Sequence, residues 1–202
     1  MARILIATSN RGKLRDFAAA AAAHGLSVEA LSGFDSLPSV EEDAETFEGN
    51  ARKKAEHYSR CASGEMVLAD DSGLEVDALG GAPGVHSARY AAASEQGNST
   101  DEANNARLLR ELGRVQFKDR TARFVCVIAA ARDGKTLATV RGQTFGVVLD
   151  APRGSGGFGY DPLFYYPPLA KSFGELSPEE KAKVSHRGKA FRAFLDWWDK
   201  NR

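Results

Sequence analysis

Residues 121–150 read TARFVCVIAAAR, then Asp133-Gly134, then KTLATVRGQTFGVVLD. Two long strand-forming runs joined by a two-residue Asp-Gly turn specify an antiparallel hairpin with an extension, since that dipeptide supplies the positive φ angles a tight hairpin turn needs. The hairpin commits the middle of the chain to a sheet. Ahead of it the pattern alternates. ILIA (4–7) reads as a short buried strand, Lys13 to Ala23 as a helix rich in alanine, and Leu26 to Leu31 as a second strand. A polar, acidic loop, SGFDSLPSVEEDAE (32–45), leads into a helix near Thr46 to Cys61. MVLADDSGLEVDAL (66–79) reads as strand, turn, strand, because Asp, Ser and Gly favour turns.

The remainder carries clear punctuation. GGAPGVHSARYA (80–91) is too rich in Gly and Pro for a regular helix. Ser99-Thr100-Asp101-Glu102 opens a helix that runs to about Leu112 with a capping box, and Ser177-Pro178-Glu179-Glu180 opens another. Gly188 is expected to break the latter before a last amphipathic stretch ending at Trp198. With 202 residues the chain makes one domain, or two small lobes, burying roughly 70% of its unfolded surface. Lys and Arg number 27 and so do Asp and Glu, so nothing supports a general affinity for nucleic acid or an anionic membrane. Small ligands are the expected partners. Cys61 and Cys126 are too few for a disulfide framework and fit a reducing cytosol. No apolar run approaches a membrane span, and ILIA is too short for a signal-peptide core. A cytoplasmic protein is expected.

Four stretches can carry chemistry. Thr8, Ser9, Asn10, Arg11, Gly12 and Lys13 form a strand-to-helix turn, where unpaired N–H groups and a partial positive charge suit a phosphate chain; an ordinary Ser/Asn cap is the plainer alternative. It is not a Walker A loop, which needs a second glycine five residues earlier. In ADDSG (69–73) adjacent carboxylates on extended backbone face opposite ways, so only one of Asp70 and Asp71 can face a given metal or water, and an Asp/Ser/Gly turn without chemistry is the plainer alternative; Glu41, Glu42 or Asp43 of the acidic loop can add a ligand or be solvated surface. GSGGFGYDP (154–162) formally matches GxGxxG, yet a dinucleotide fold is excluded because Tyr160-Asp161-Pro162 stands where a helix should start. What remains is a glycine loop presenting Phe158, Tyr160 and Asp161 to a base, or sealing the core with its aromatics. Finally, EEKAKVSHRGKAF (179–191) crowds Lys181, His186, Arg187 and Lys189 near a helix break, which suits an anion or a base edge as well as a solvated basic face.

Together these residues resemble the inosine triphosphate pyrophosphatase family, the Ham1-like non-canonical purine NTP pyrophosphatases. The likeness runs in order through the opening turn, TFEGNARKKA, ADDSGLEVDALGGAPGVHSARYA, GGFGYDPLF and SHRGKAF, nearly the whole chain. It implies an α/β fold over residues 1–202, with a long twisted mixed sheet flanked by helices and two lobes around a central nucleotide cleft. It implies Mg²⁺-dependent hydrolysis of ITP, dITP and XTP to the monophosphate and pyrophosphate, by a homodimer. On this likeness Thr8 to Lys13 hold the phosphates. Asp71 is the metal-binding general base, Glu42 the other metal ligand with Glu41 still open, and Ser72 and Lys54 contact substrate. Phe158, Gly159, Tyr160 and Asp161 form the base loop, and Lys181, His186 and Arg187 complete the substrate contacts. The family often shows TFxENA; here Gly49 replaces the carboxylate, and Ala44 stands where glycine is common.

The chemistry needs a water opposite the leaving pyrophosphate, a base, and cations to hold the charge that develops. Asp71 with Mg²⁺ supplies the first part and Lys13, Lys54 and the helix start the second, with no covalent intermediate. A 6-oxopurine presents an acceptor at O6 and a donor at N1, so a matched site leaves buried groups unpaired with ATP. Two other readings predict other results. A non-catalytic nucleotide sensor releases no pyrophosphate, and a Maf-like pyrophosphatase prefers dTTP or UTP, although SHRGKA favours purines. An aspartyl nucleophile is disfavoured because DDSG does not follow the first strand.

Overall fold

The structure is a computed structural model that describes residues 3–22, 24–92 and 97–201. Its strands form one seven-stranded sheet in the order β2-β1-β3-β4-β5-β6-β7, with β1 Arg3–Ile6, β2 Ser27–Ala30, β3 Val67–Val76, β4 Thr121–Arg132, β5 Lys135–Val148, β6 Phe164–Tyr166 and β7 Lys171–Ser172. β1 pairs in parallel with both β2 and β3, whereas β5, β6 and β7 pair antiparallel, so the sheet is mixed as expected for this α/β chain. β4 and β5 are joined only by Asp133 and Gly134, at φ 49° and 79°, the left-handed pair that a two-residue hairpin demands.

Among the described residues five α-helices accompany the sheet: α1 Arg11–Ala22, α2 Phe47–Ser59, α3 Asp101–Glu111, α4 Pro178–Val184 and α5 His186–Asn201. Ala23, expected as the end of the first helix, lies outside the described residues. The chain divides into two compact units, whose boundaries fall within β3, β4, β5 and α4. The first comprises Met1–Asp71, Cys126–Gln143 and Ala182–Arg202, and the second Ser72–Val125 and Thr144–Lys181. In the first, Ile4, Ile6 and Leu68 from the parallel strands pack with Phe17 of α1 and Phe191 and Phe194 of α5. Phe17 and Phe191 meet edge to face at 5.7 Å. In the second, Phe124, Phe164 and Phe173 form an aromatic nest with ring centroids 4.6–5.8 Å apart.

Three local expectations are corrected. ADDSG makes no turn: β3 runs unbroken through it, lying between β1 and β4 in the sheet, and its two carboxylates find buried partners, which overrides the turn preference of Asp, Ser and Gly. Gly188 does not break the helix. The break falls at Ser185, whose Oγ accepts from Gly188 N at 3.1 Å, and Gly188 lies inside α5 because a Cβ there would stand 1.9 Å from the Ala182 carbonyl oxygen of α4. Arg11 and Gly12 belong to the first turn of α1, so the connecting turn is only Ala7 to Asn10. The helix starts at 100 and 177 are both capped. At the first, Thr100 accepts from Ala103 N without a reciprocal acid; at the second, Ser177 and Glu180 exchange both bonds of a capping box.

Candidate active site

The first unit gathers its charged side chains around the middle of β3. β1 delivers the chain to the opening turn, with Ala7 N donating to Leu68 O of β3 at 2.8 Å. There Asn10 caps α1: its Oδ1 accepts from Gly12 N at 2.8 Å and Lys13 N at 3.1 Å, while Thr8 Oγ1 accepts from Asn10 N. The cap reading of this turn is observed, and Ser9, Asn10 and Arg11 are exposed beside it. Lys13, at the third position of α1, turns back to the strand and places Nζ 3.1 Å from Asp70 Oδ1.

Alternation along β3 then separates the two aspartates, as extended backbone must. Asp70 is buried among Lys13, Arg187 Nη2 at 3.5 Å and the thiol of Cys126 at 3.8 Å. Burial alone raises its pKa, but Lys13, Arg187 and Lys54 together outweigh that and hold the carboxyl well below the usual range. Asp71, on the other side, accepts from Asn50 Nδ2 at 3.1 Å through Oδ2 and lies 3.4 Å from Lys54 Nζ through Oδ1. Here burial prevails, and with the charge of Glu42 it raises the pKa against the pull of Lys54 and Lys13.

Lys54 bridges the acidic loop to the strand. Its Nζ stands 2.7 Å from Glu42 Oε2, and although burial disfavours its charge, Asp71, Glu42 and Asp70 keep it protonated. Burial pushes Glu42 up, yet Lys54 prevails and its pKa is lowered. The loop acid beside Asp71 is therefore Glu42; Glu41 points to solvent. Among the described residues no three His, Cys, Asp or Glu side chains group around a point that could hold a metal ion. Glu42 and Asp71 offer two hard oxygen donors facing one cation, Lys54, which is the donor set Mg²⁺ takes when phosphate oxygens and water complete its shell.

The remaining sequence candidates separate. His186 and Arg187 open α5 and are buried, and the Arg187 guanidinium pairs with Asp16 Oδ2 at 2.7 Å as well as with Asp70, 5.7 Å from the Phe17 ring. Ser72 is half-buried on β3. In the second unit, Asp161 Oδ2 accepts from Phe158 N at 2.8 Å and from Lys181 Nζ at 2.7 Å, and the ammonium sits 4.9 Å from the Phe158 ring. Gly159 is tied through Asn105 and Asp101 of α3. Tyr160 is buried and donates its hydroxyl to Ser87 O at 2.8 Å, so it seals the core.

The family model of the Ham1 family matches residues 4–197. The chain belongs to the Ham1 family. A dITP/XTP pyrophosphatase of Geobacillus kaustophilus is 50% identical over 199 residues, 98% of this chain and 95% of that protein. One from Geobacter sulfurreducens is 48% identical over 196 residues, 97% and 96% of the two chains. The solved Staphylococcus aureus Ham1 protein superposes with a TM-score of 0.82 at 40% identity over the whole of both chains, and a HAM1 protein from Coxiella burnetii at 0.82 and 37%, over 99% and 100%. The open mixed sheet with flanking helices is thus the Ham1 architecture. Two participants in the charged cluster escaped the sequence reading of this Ham1 chain, Asn50 and Asp16. Asn50 had one visible signal, its place four residues before Lys54 and so on the same face of α2.

Proposed function

We propose that this protein is a nucleoside triphosphate pyrophosphohydrolase that hydrolyses dITP, ITP and XTP between the α- and β-phosphates, giving the monophosphate and pyrophosphate and clearing such nucleotides from the pool. The observation that carries the reading is the opposed pair Glu42 and Asp71 with Lys54 between them. It gives one unit a base, a pair of hard metal donors and a cation for phosphate. Near-full-length likeness to dITP/XTP pyrophosphatases supports the substrate class.

In the proposed reaction Glu42 and Asp71 hold Mg²⁺, which when bound supplies positive charge to the phosphate oxygens. Asp71 accepts the proton of the attacking water, from a carboxylate that Asn50 and Lys54 hold at both oxygens. Lys13 and Lys54 receive the negative charge that moves onto the departing pyrophosphate. Base recognition is assigned to Phe158, Asp161 and Lys181 of the second unit. Phe158 offers a face for stacking, and Lys181 is a donor suited to a 6-oxo group and mismatched to the amine of adenine. Arg187, whose guanidinium serves Asp16 and Asp70, is assigned to support of the cluster. A homodimer in a reducing cytosol belongs to the same reading, supported by two free cysteines and by Phe117 and Phe145, which stand more than half exposed. No helix among the described residues is long and apolar enough to cross a membrane.

Pyrophosphate release across a panel of nucleoside triphosphates, with and without Mg²⁺, tests the reading. dITP, ITP and XTP should be cleaved well ahead of ATP and GTP, and only with the metal. Cleavage of dTTP or UTP above ITP, or no release at all, contradicts it.

A further inference from the structure

Asn50 is buried at the start of α2 and makes three side-chain hydrogen bonds. Its Oδ1 accepts from Ala44 N at 3.0 Å, and its Nδ2 donates to Ala44 O at 3.3 Å and to Asp71 Oδ2 at 3.1 Å. The backbone fixes which way the amide points. The N–H of Ala44 can only donate, so the oxygen of Asn50 must face it, and the NH₂ group is then the only part left for Asp71.

Two consequences follow. First, Asp71 is gripped at both oxygens by one face of one helix: Oδ2 by Asn50 and Oδ1 by Lys54, residues i and i+4 of α2. A carboxylate held at both ends cannot rotate freely, which fixes where its remaining lone pairs point. Second, three successive residues of the acidic loop are held by three residues of α2, Glu42 by Lys54, Asp43 by Lys53 and Ala44 by Asn50. Of these anchors, Asn50 alone binds the loop backbone and Asp71 with the same group. It therefore sets the register of Glu42 against Asp71.

We propose that Asn50 is a positioning residue for the hydrolysis: its amide orients the Asp71 carboxylate and, through Ala44, holds Glu42 in place opposite. The proposal rests on the functional reading above. It distinguishes a donor from an acceptor at one atom, which makes it testable with an isosteric change. Asn50→Asp keeps the shape and can still accept from Ala44 N, but it turns an acceptor toward Asp71.

The experiment compares wild type with Asn50→Asp and Asn50→Ser. It measures kcat and KM for dITP, calorimetric affinity for a non-hydrolysable dITP analogue, and thermal melting. The expected result is a kcat lowered by about 10- to 100-fold, the usual cost of losing a partner that orients a ligating carboxylate, with KM and analogue affinity little changed and more loss in Asn50→Asp than in Asn50→Ser. Either folded variant suffices for the comparison. A wild-type kcat in Asn50→Asp, or analogue affinity falling in step with kcat, overturns the role. Wild-type protein that releases no pyrophosphate from any purine triphosphate overturns the functional reading and this role with it, an outcome the wild-type control separates from the others.

Discussion

Asp70 and Asp71 differ by one position and face opposite chemistry. The first is surrounded by Lys13 and Arg187 and is held ionised; the second is paired with another acid as well as a lysine, and burial raises its pKa. That division into a structural anion and a proposed proton acceptor comes from strand alternation, and the sequence showed the alternation without showing which partner lay on which side. Arg187 is where the two levels part. In the sequence it sits in a basic run and reads equally as a base contact or a solvated charge. In the fold it is among the most buried side chains, between Asp16 and Asp70. Arg187→Ala strips the counter-charge from two acids at once and should cost about 3–5 kcal/mol, measured by denaturant unfolding; a variant as stable as wild type would remove the buried pair from the account. The sign for Asp70 follows from its lowered pKa. Its stabilising contribution is present above its ordinary value of 3.8 and is lost as pH falls. Thermal melting of wild type should therefore decline on acidification below about pH 5, and Asp70→Asn should start lower and decline less steeply. Parallel curves would contradict this.

At the scale of elements, what was legible depended on whether the signal was local. The Asp-Gly hairpin, the helix start near Thr46 and the Ser177 capping box are local, and all appear where the residues put them. β3 and the α4–α5 junction are not. Asp70 and Asp71 stay extended with partners from α1, α2 and α5, and Gly188 is required by the close approach of Ala182 rather than by a break in the helix. The entry to α2 shows a third kind of non-local rule. Gly49 stands where the family often carries Glu, and Ala44 where it often carries Gly. A Cβ at Gly49 would lie 2.7 Å from the Cβ of Ala44, so only one of the two positions can hold a side chain. These two departures are thus one compensated change. Gly49→Glu alone should destabilise by about 1–3 kcal/mol, the usual cost of overpacking, and Ala44→Gly introduced with it should recover most of the loss. Thermal melting of the single and double variants tests the coupling, and additive effects would refute it.

Across the molecule, five separated segments converge on a few side chains. The first turn of α1 supplies Lys13, the acidic loop Glu42, α2 Asn50 and Lys54, β3 the two aspartates and α5 Arg187, all within the first unit. The order of those segments was readable, and it carried the family. Their meeting was not, because it depends on β1 and β3 lying side by side and on α1 packing against α5, contacts between residues far apart in sequence. Beyond its spacing from Lys54, Asn50 gave no sign for the same reason: its role exists only once Ala44 and Asp71 are both within reach. The central claim is that Asp71 takes the proton from the attacking water. Pyrophosphate release from dITP by Asp71→Asn, measured beside nucleotide binding, tests it most directly. Turnover should fall by about 10²- to 10⁴-fold, the contribution of a positioned general base, while binding is largely kept; turnover near the wild-type rate would contradict it.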